Sequence, residues 1–431
     1  MFRNPRTPSH SAAGQVLVLM VGGMLAVIAM IALIVDGGNA WAQQRIVQNG
    51  SDASAEAGAI VMAERFAGAA APALGWDATV SSTIQASAVA NGITVSAAYY
   101  TDICGIPLKA DGSKALNGDG TYNLAVAVAV GSGALPNSAA TAPDCPSLTV
   151  GPPAGVMLIG HKNVGTYFAG AIGINTLGVT TQATAVAGYL QGYCDAATGQ
   201  ACAVLPVTIP VDIVNCDGSG NAVNTGTSWN LGQVYKVPLC KNNPGNVGWL
   251  DWTPPNGGTS ELIDSILHPN NPAINLPSWQ FVTSTGDPNS KPLEDAVRTY
   301  DGQVVMIPQF DQTCGVGPHD TVDQSQVSNS AANYGCLNAT TNDLGSGNGQ
   351  NEWYRIPSFA FFQLCSFSDP KCTAYGAYIN GSNKAECETG NNGATSCLVG
   401  RFVSILSTGT VGPGVGGGTT NTKAIGVQLI K

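Results

Sequence analysis

The longest apolar segment of the chain lies close to its N-terminus. Residues Val16 to Val35 are twenty consecutive apolar residues or glycines, and Asp36 ends the run. At about 1.5 Å of rise per residue, a helix of this length covers about 30 Å, the thickness of a bilayer's hydrocarbon core. The pattern therefore predicts one membrane-spanning helix.

The segment after the apolar run also has a helical composition. Residues 36–68 contain no proline and many small residues, so we expect the helix to continue outward as a long stalk that ends before Pro72 and Gly75. Trp41 is placed near the membrane interface, where its amphipathic ring is favoured. Small residues on the stalk allow a second helix or a sheet to pack closely: Gly50, Ala53, Ala57 and Gly58.

Farther along the chain, short apolar runs indicate strands. They are Leu124 to Val130, Val156 to Ile159, Leu205 to Ile209, Val304 to Ile307, Phe359 to Leu364, Phe402 to Leu406 and Ile425 to Leu429. The last run is predicted to return as a closing strand. One helix is expected from Leu293 to Tyr300, with Glu294 and Asp295 in its first turn, where the helix dipole favours carboxylates.

These elements predict an α+β fold: an N-terminal transmembrane helix that continues into a long stalk helix, followed by a β-rich, disulfide-containing extracytoplasmic region. We divide the chain into a cytoplasmic tail at 1–13, the transmembrane and stalk helix at 14–70, a β-rich region at 71–190, and a cysteine-rich β-rich region at 191–431. A single elongated β-rich body after the stalk fits the length nearly as well.

The cysteines favour an oxidising compartment. Twelve cysteines lie between Cys104 and Cys397, none of them in the tail or the apolar run, and ten follow residue 190. An even number with this distribution is typical of disulfides. Neighbours in sequence suggest the pairs Cys216–Cys240, Cys314–Cys336 and Cys387–Cys397, although spacing does not determine connectivity. The lack of C-x-x-C and the presence of only four histidines disfavour structural zinc, and we expect no metal and no cofactor.

Charges around the apolar run predict its orientation. Arg3 and Arg6 precede it without any acidic residue, so the positive-inside bias keeps the N-terminus in the cytoplasm and exports the rest to the periplasm or cell exterior. A cleaved signal peptide is the alternative, because Ala40-Trp41-Ala42 resembles a small-x-small cleavage site. The run exceeds the usual length of a signal-peptide core, which favours a retained single-pass anchor in the cell membrane.

Composition and motifs narrow the functions further. Charged residues are only 10% of the chain and the net charge is −10, without the Lys and Arg clusters that nucleic-acid binding requires. No G-x-S-x-G, H-E-x-x-H or P-loop pattern occurs. A nucleophilic site is one interpretation of His319-Asp320 near Cys314. A calcium loop is one interpretation of the polar run Asn342 to Gly349, and a sugar-stacking surface is one of the pair Trp249 and Trp252. A disulfide, a turn and ordinary packing are the favoured interpretations.

The N-terminal motif resembles that of a known family. Its residues are Gly14 and Gln15, the apolar run, Val35, Asp36 and Gly37, then Gln43, Arg45, Gln48, Asn49, Gly50, Ser51, Asp52 and Ala53. This order, over about residues 14–65, resembles TadE/TadG-like proteins of the Tad (Flp, tight-adherence) pilus-assembly systems. Leu19 stands where processed prepilins carry a glutamate, so cleavage at Gly14 is not expected.

The resemblance implies a structural component of a Tad-type pilus system, minor-pilin-like and not an enzyme. Its partners would be other pilus-assembly or pilin proteins, contacted through the membrane and stalk helix. Gly22, Gly23 and Ala26 in the apolar run permit such close helix contacts. The alternative is a surface adhesin or carbohydrate-binding module on the same anchor, with a surface glycan as its partner.

The membrane-spanning helix can be tested by Leu25→Arg. An arginine at the middle of the span costs about 2.5–3.5 kcal/mol on translocon scales, so we expect impaired insertion in a fractionation assay. The mature wild-type protein should still begin upstream of Val16 by mass spectrometry. A new N-terminus near Gln43 would instead identify a signal peptide.

Overall fold

The structure is a computed structural model that describes residues 13–67, 69–136, 154–193, 204–217, 222–240, 248–250, 252, 258–269, 271, 273–282, 290–314, 352–372, 376–380, 387, 394–408, 410–412 and 423–430. Several predicted features lie outside these residues: Arg3 and Arg6, the His319-Asp320 pair, Cys336, and the run Asn342 to Gly349.

One long helix and a β-rich remainder form the architecture, which confirms the predicted mixture of elements. The helices are α1 (Ala13–Phe66), α2 (Trp76–Ala90), α3 (Thr259–Leu267) and α4 (Lys291–Arg298), with a short 3-10 helix at Ala169–Ile172. The first strands are β1 (Thr94–Thr101), β2 (Gly155–Gly165), β3 (Thr176–Tyr193), β4 (Val207–Pro210), β5 (Asp212–Cys216), β6 (Ala222–Ser228), β7 (Val234–Cys240), β8 (Gly248–Trp249), β9 (Ile274–Asn275) and β10 (Ser278–Val282). The others are β11 (Val304–Phe310), β12 (Gln312–Cys314), β13 (Glu352–Ile356), β14 (Ser358–Leu364), β15 (Tyr378–Ile379), β16 (Ala394–Val403), β17 (Leu406–Thr408), β18 (Thr410–Gly412) and β19 (Ile425–Ile430).

Helix α1 has two halves with different surroundings. The large apolar side chains from Val16 to Val35 are all exposed, from 39% for Val35 to 76% for Leu33. It is the one helix in the described part of the chain that is long and apolar enough to cross a membrane. After Asp36, many residues of the helix are buried against the rest of the protein. The helix ends at Phe66, before Pro72, as the stalk prediction expected.

A seven-stranded sheet supports the second half of α1. Its central order is β1-β2-β3-β19-β17, with β18 and β9 also paired to β3. Strands β2 and β3 form a long antiparallel hairpin, in register from Gly155 opposite Val186 to Gly165 opposite Thr176. The C-terminal strand β19 returns to pair antiparallel with β3, as its alternating apolar residues predicted.

Small residues let α1 approach the sheet and α2. A Cβ atom at Gly58 would lie 2.7 Å from Val156 in β2 and 2.9 Å from Ile84 in α2. From the sheet side, a Cβ atom at Gly160 would overlap the Ser51 hydroxyl. A core forms here that includes Ala55, Ala59, Met62, Val80, Ile84, Tyr100, Val156 and Leu158. The predicted close packing of the stalk is therefore observed at Gly50 and Gly58, whereas Ala53 and Ala57 are half-buried.

A second seven-stranded sheet forms most of the remaining body. Its path is β15-β16-β14-β11-β4-β8, with β7 paired to β16, and a three-stranded sheet has the order β10-β13-β12. Phe402 lies at the centre of its core, with ring centroids 5.3 Å from Trp229 and 5.1 Å from Phe362. A separate core contains Val186 and Leu190 of β3 together with residues of β11, β13 and β14, so the two large sheets pack together.

Disulfides join cysteines in this second part. Cys387 is bonded to Cys397, a pair that sequence proximity suggested, and Cys365 is bonded to Cys372. Cys104 and Cys216 each also take part in a disulfide. The pairs Cys216–Cys240 and Cys314–Cys336 stay predictions, as do the four regional boundaries.

Three local predictions need correction. Residues 124–126 form a turn and Ala127 a bend, so the strand expected from Leu124 to Val130 is reduced to an isolated bridge between Ala129 and Tyr99. The alternation of valine and alanine does not distinguish a strand from a turn. Val128 and Val130 pack against the core between α1, α2 and the first sheet although they lie outside any strand. The run Phe402 to Leu406 is divided between β16 and β17.

Helix α4 begins and ends two residues earlier than predicted, with Glu294 buried in an ion pair with Arg298.

The contact between α1 and the sheet can be tested by Gly160→Val. The added side chain would push against Ser51 and Ile93, so we expect the full-length protein in detergent to lose about 1–3 kcal/mol of unfolding free energy. Guanidinium unfolding, followed by near-UV circular dichroism, measures this loss.

The matched control is Gly165→Val in the same strand. A Cβ atom there meets nothing within 4 Å, so its effect should stay within about 0.5 kcal/mol. Equal effects of the two substitutions would contradict the close helix–sheet contact.

Candidate functional site

The residues singled out by the N-terminal motif occupy one length of α1, where the apolar run ends and the helix first meets the sheet. Asp36 is 6% exposed and Gln48 and Asp52 are half-buried, whereas Gly37, Arg45 and Asn49 are exposed. Gly22, Gly23 and Ala26 lie farther down, in the exposed apolar half. The backbone of Gly14 and Gln15 is helical, and their side chains lie outside the described residues.

Asp36 binds the loop that joins β2 to β3. We call this loop, residues 166–175, the hairpin tip. One carboxylate oxygen of Asp36 accepts a hydrogen bond from the Tyr167 backbone N–H at 2.7 Å, and the other accepts from Phe168 at 3.0 Å and from Ala169 at 2.6 Å. Three consecutive backbone donors around one carboxylate resemble the concave anion sites that successive N–H groups form. The carboxylate therefore fixes the hairpin tip beside the end of the apolar run.

Hydrogen bonding to the hairpin tip lowers the pKa of Asp36. Partial desolvation raises its pKa, and the backbone N–H groups of Ala169, Tyr167 and Phe168 together lower it by more. In the folded protein, the pKa of the Asp36 carboxyl group thus lies below its ordinary value of 3.8. A carboxylate with a lowered pKa stabilises the fold at any pH above that ordinary value, and the contribution is lost as pH falls through the folded pKa.

Farther along α1, polar side chains connect the helix to β3. The Gln48 side-chain amide donates to the Asp52 carboxylate at 2.8 Å and to the Gln182 carbonyl oxygen at 3.1 Å. The hydroxyls of Ser51 and Thr181 are 2.8 Å apart and both residues are buried. Asn39 also reaches the Gly165 carbonyl oxygen at 3.4 Å. Helix and hairpin therefore lie side by side from Asp36 to beyond Ser51.

A pocket opens beside this polar contact. Its volume is about 580 Å³, and Gln48, Asn49 and Asp52 line one side. The rest of the lining is Cys104, Gly105, Tyr122, Gln182, Ala183, Thr184, Leu429 and Ile430. The lining combines amides, the Asp52 carboxylate and hydroxyls with the aliphatic side chains of Leu429 and Ile430. Within the described residues, no three His, Cys, Asp or Glu side chains come together in a way that could hold a metal ion.

Trp41 and Arg45 form a second feature on the exposed side of the helix. The Arg45 guanidinium carbon lies 4.4 Å from the centroid of the Trp41 ring, which is the geometry of a cation–π contact. Trp41 is 62% exposed. An exposed amphipathic ring paired with a cation, just past an apolar run, is typical of the region next to a membrane.

Comparisons with protein-family models, curated proteins and solved structures find no match to this chain. The family resemblance accordingly stays a prediction that depends on the motif residues themselves.

Other candidate residues are placed differently. Trp249 is only 6% exposed and belongs to the core of the second sheet, so it does not present a stacking face to solvent. Trp252 is half-buried against the neighbouring core. Cys314 ends β12, and its suggested neighbours His319 and Asp320 lie outside the described residues.

The hairpin tip is the part of this site that sequence reasoning missed. Only the strand at Val156 to Ile159 was predicted nearby, and no pattern linked Asp36 to residues 131 or more positions away. A usable signal was present: Asn163 to Gly178 contains glycines and aromatic residues but no charged residue.

The link between Asp36 and the hairpin tip predicts the behaviour of Asp36→Ala. Without the carboxylate, the N–H groups of Tyr167, Phe168 and Ala169 lose their acceptor, so their amide hydrogen exchange should accelerate several-fold. Mass spectrometry of the peptide that covers the hairpin tip measures this change. In the wild-type protein, the protection should persist above pH 3.8 and be lost only in stronger acid.

Asp52→Ala is the matched control, because it removes a carboxylate from the same helix that accepts from Gln48 rather than from the hairpin tip. It should leave exchange at the hairpin tip unchanged. Slow exchange in Asp36→Ala would mean that other contacts hold the loop.

Proposed function

We propose that this chain is a membrane-anchored, extracytoplasmic structural or assembly component of a Tad-type pilus system, similar to a minor pilin, which works through contacts with partner helices. The observation that carries the proposal is the exposed apolar half of α1. No residue of its most apolar stretch is buried in the protein, although burying such side chains would remove a large apolar area from water. A bilayer covers a surface of this length and composition.

Charge and redox chemistry support the proposed orientation. Arg3 and Arg6 favour a cytoplasmic N-terminus by the positive-inside bias. The disulfides Cys365–Cys372 and Cys387–Cys397 are consistent with an oxidising compartment for the body, such as the periplasm or the cell exterior.

The connection between anchor and body supports a mechanical or scaffolding role. Helix α1 continues from the apolar run into the packed half as one element from Ala13 to Phe66. The motif residues Asp36 and Gln48 attach this helix to the hairpin through the contacts already described. A change in the position of the anchor would therefore move the body with it.

The exposed apolar helix also has a face suited to other helices. Gly22 and Ala26 are one turn apart, and a Cβ atom at Gly22 or Gly23 would meet nothing within 4 Å. In membranes, small residues at this spacing let helix backbones approach closely. We infer that partner pilin or assembly helices pack on this face.

The test begins with a deletion strain, in which pili and surface attachment should be lost or altered. Wild-type protein should restore them. The double variant Gly22→Leu with Ala26→Leu should still insert, since leucine is favourable in the span, but should restore pili poorly because the close-approach face is filled. Electron microscopy of pili and an attachment assay measure the outcome.

Val21→Leu with Val27→Leu is the matched control, because both positions lie about 120° around the helix from the middle of the Gly22–Ala26 face, so the added methylene groups do not fill that face. It should restore pili fully. Normal pili and attachment in the deletion strain would contradict the proposed function. Specific glycan binding by the purified full-length protein in such a case would favour the adhesin alternative.

A further inference from the structure

We propose that the hairpin tip is a second membrane contact, which inserts its exposed aromatic and aliphatic side chains into the interfacial layer of the bilayer that α1 enters. The inference rests on the proposed membrane anchor and adds to it a surface on the exported body. Three observations carry it: the position of the hairpin tip, its composition, and its continuity with the apolar half of the helix.

The position of the hairpin tip is determined by Asp36. This residue directly follows the last apolar residue of the run, Val35, and its carboxylate binds the backbone of Tyr167, Phe168 and Ala169. Three residues farther along the helix, Asn39 reaches Gly165 at the end of β2. The loop thus lies at the level where the apolar surface of the helix ends, which is the level of the lipid headgroups if the helix spans the membrane.

The exposed side chains of the hairpin tip have the chemistry of an interfacial anchor. Tyr167 is 72% exposed, Phe168 is 41% exposed and Ile174 is 46% exposed. Over the sixteen residues from Asn163 to Gly178 the chain carries no charged side chain. Aromatic rings are favoured at the membrane–water interface, and a neutral loop avoids the cost of bringing ions toward the hydrocarbon core.

Residues slightly farther from the apolar run also suit a position near the membrane interface. Trp41, exposed and stacked with Arg45, lies five residues beyond Asp36, which is about 7.5 Å along the helix axis. On β2, the first charged residue above the neutral loop is Lys162, three residues from Gly165 and therefore about 10 Å farther from the apolar run. Apolar side chains thus lie nearest the span, and cations begin only above them.

Two contacts with the bilayer would define the orientation of the body. A single helix leaves the exported domain free to rotate about the helix axis and to tilt with it. A loop that enters the interface beside the helix restricts both motions, because rotation would change the depth of Tyr167 and Phe168. The body would then present one constant side to neighbouring proteins in the same membrane.

The experiment measures the depth of single introduced tryptophans in the full-length protein, reconstituted in phosphatidylcholine vesicles. Each tryptophan is introduced into the Trp41→Phe variant, whose own fluorescence is subtracted, and the first such variant carries Tyr167→Trp. Bromine atoms on the lipid acyl chains, placed near the headgroup end, should quench most of the added fluorescence of Tyr167→Trp. Ile174→Trp, on the other side of the loop, should be quenched in the same way.

Two further variants make the outcomes distinguishable. Leu74→Trp, at an exposed position beyond the end of α1, should not be quenched, and Leu25→Trp should be quenched best by bromines deep in the acyl chain. Quenching of Leu25→Trp without quenching of Tyr167→Trp and Ile174→Trp would overturn the second contact and leave the anchor in place. Absence of quenching at all three positions would overturn the anchor and this inference together. Near-UV circular dichroism checks that each variant is folded.

Discussion

Close packing of the second half of α1 against the β2–β3 hairpin is the contact on which the other features depend. Glycines on both partners make it possible, since a Cβ atom at Gly58 or Gly160 would collide with the opposite element. The buried hydroxyls of Ser51 and Thr181 form a hydrogen bond with each other within the same interface. Because such polar groups are costly to bury alone, their pairing selects one register of the helix on the sheet. That register brings Asp36 to the hairpin tip.

Asp36 marks the boundary between two environments of one helix. From Val16 to Val35, every large side chain is exposed and apolar; after Asp36, the helix is partly covered by α2 and the sheet. A carboxylate at such a boundary would be costly without partners, and three backbone N–H groups supply them. The same hydrogen bonds satisfy backbone donors of a loop that leaves the sheet. One residue thereby ends the apolar surface and attaches the body to the helix.

Strand β3 connects the helix–hairpin contact to the rest of the body. Its first half pairs with β2 beside the helix, and its second half pairs with β19, β18 and β9. Side chains of Val186 and Leu190 continue into the core that contains Phe359 and Phe361 of the second sheet. The proposed role in assembly uses this continuity, because a force on the apolar half of α1 would reach the second seven-stranded sheet through packed strands rather than through a flexible linker.

The sequence by itself determined the elements whose signal is local. An uninterrupted apolar run, the absence of proline between Pro8 and Pro72, and alternating residues at Ile425 to Leu429 are local signals, so the long helix and the closing strand could be predicted. The alternation of valine and alanine at 124–130 led to a wrong strand prediction, because a turn segment with two valines packed against the core has the same pattern. Only the tertiary structure decided that Asp36 meets Tyr167, that Gly160 admits Ser51, and that Trp249 is buried. These contacts join residues far apart in the chain, and their energies depend on a register that no local pattern encodes.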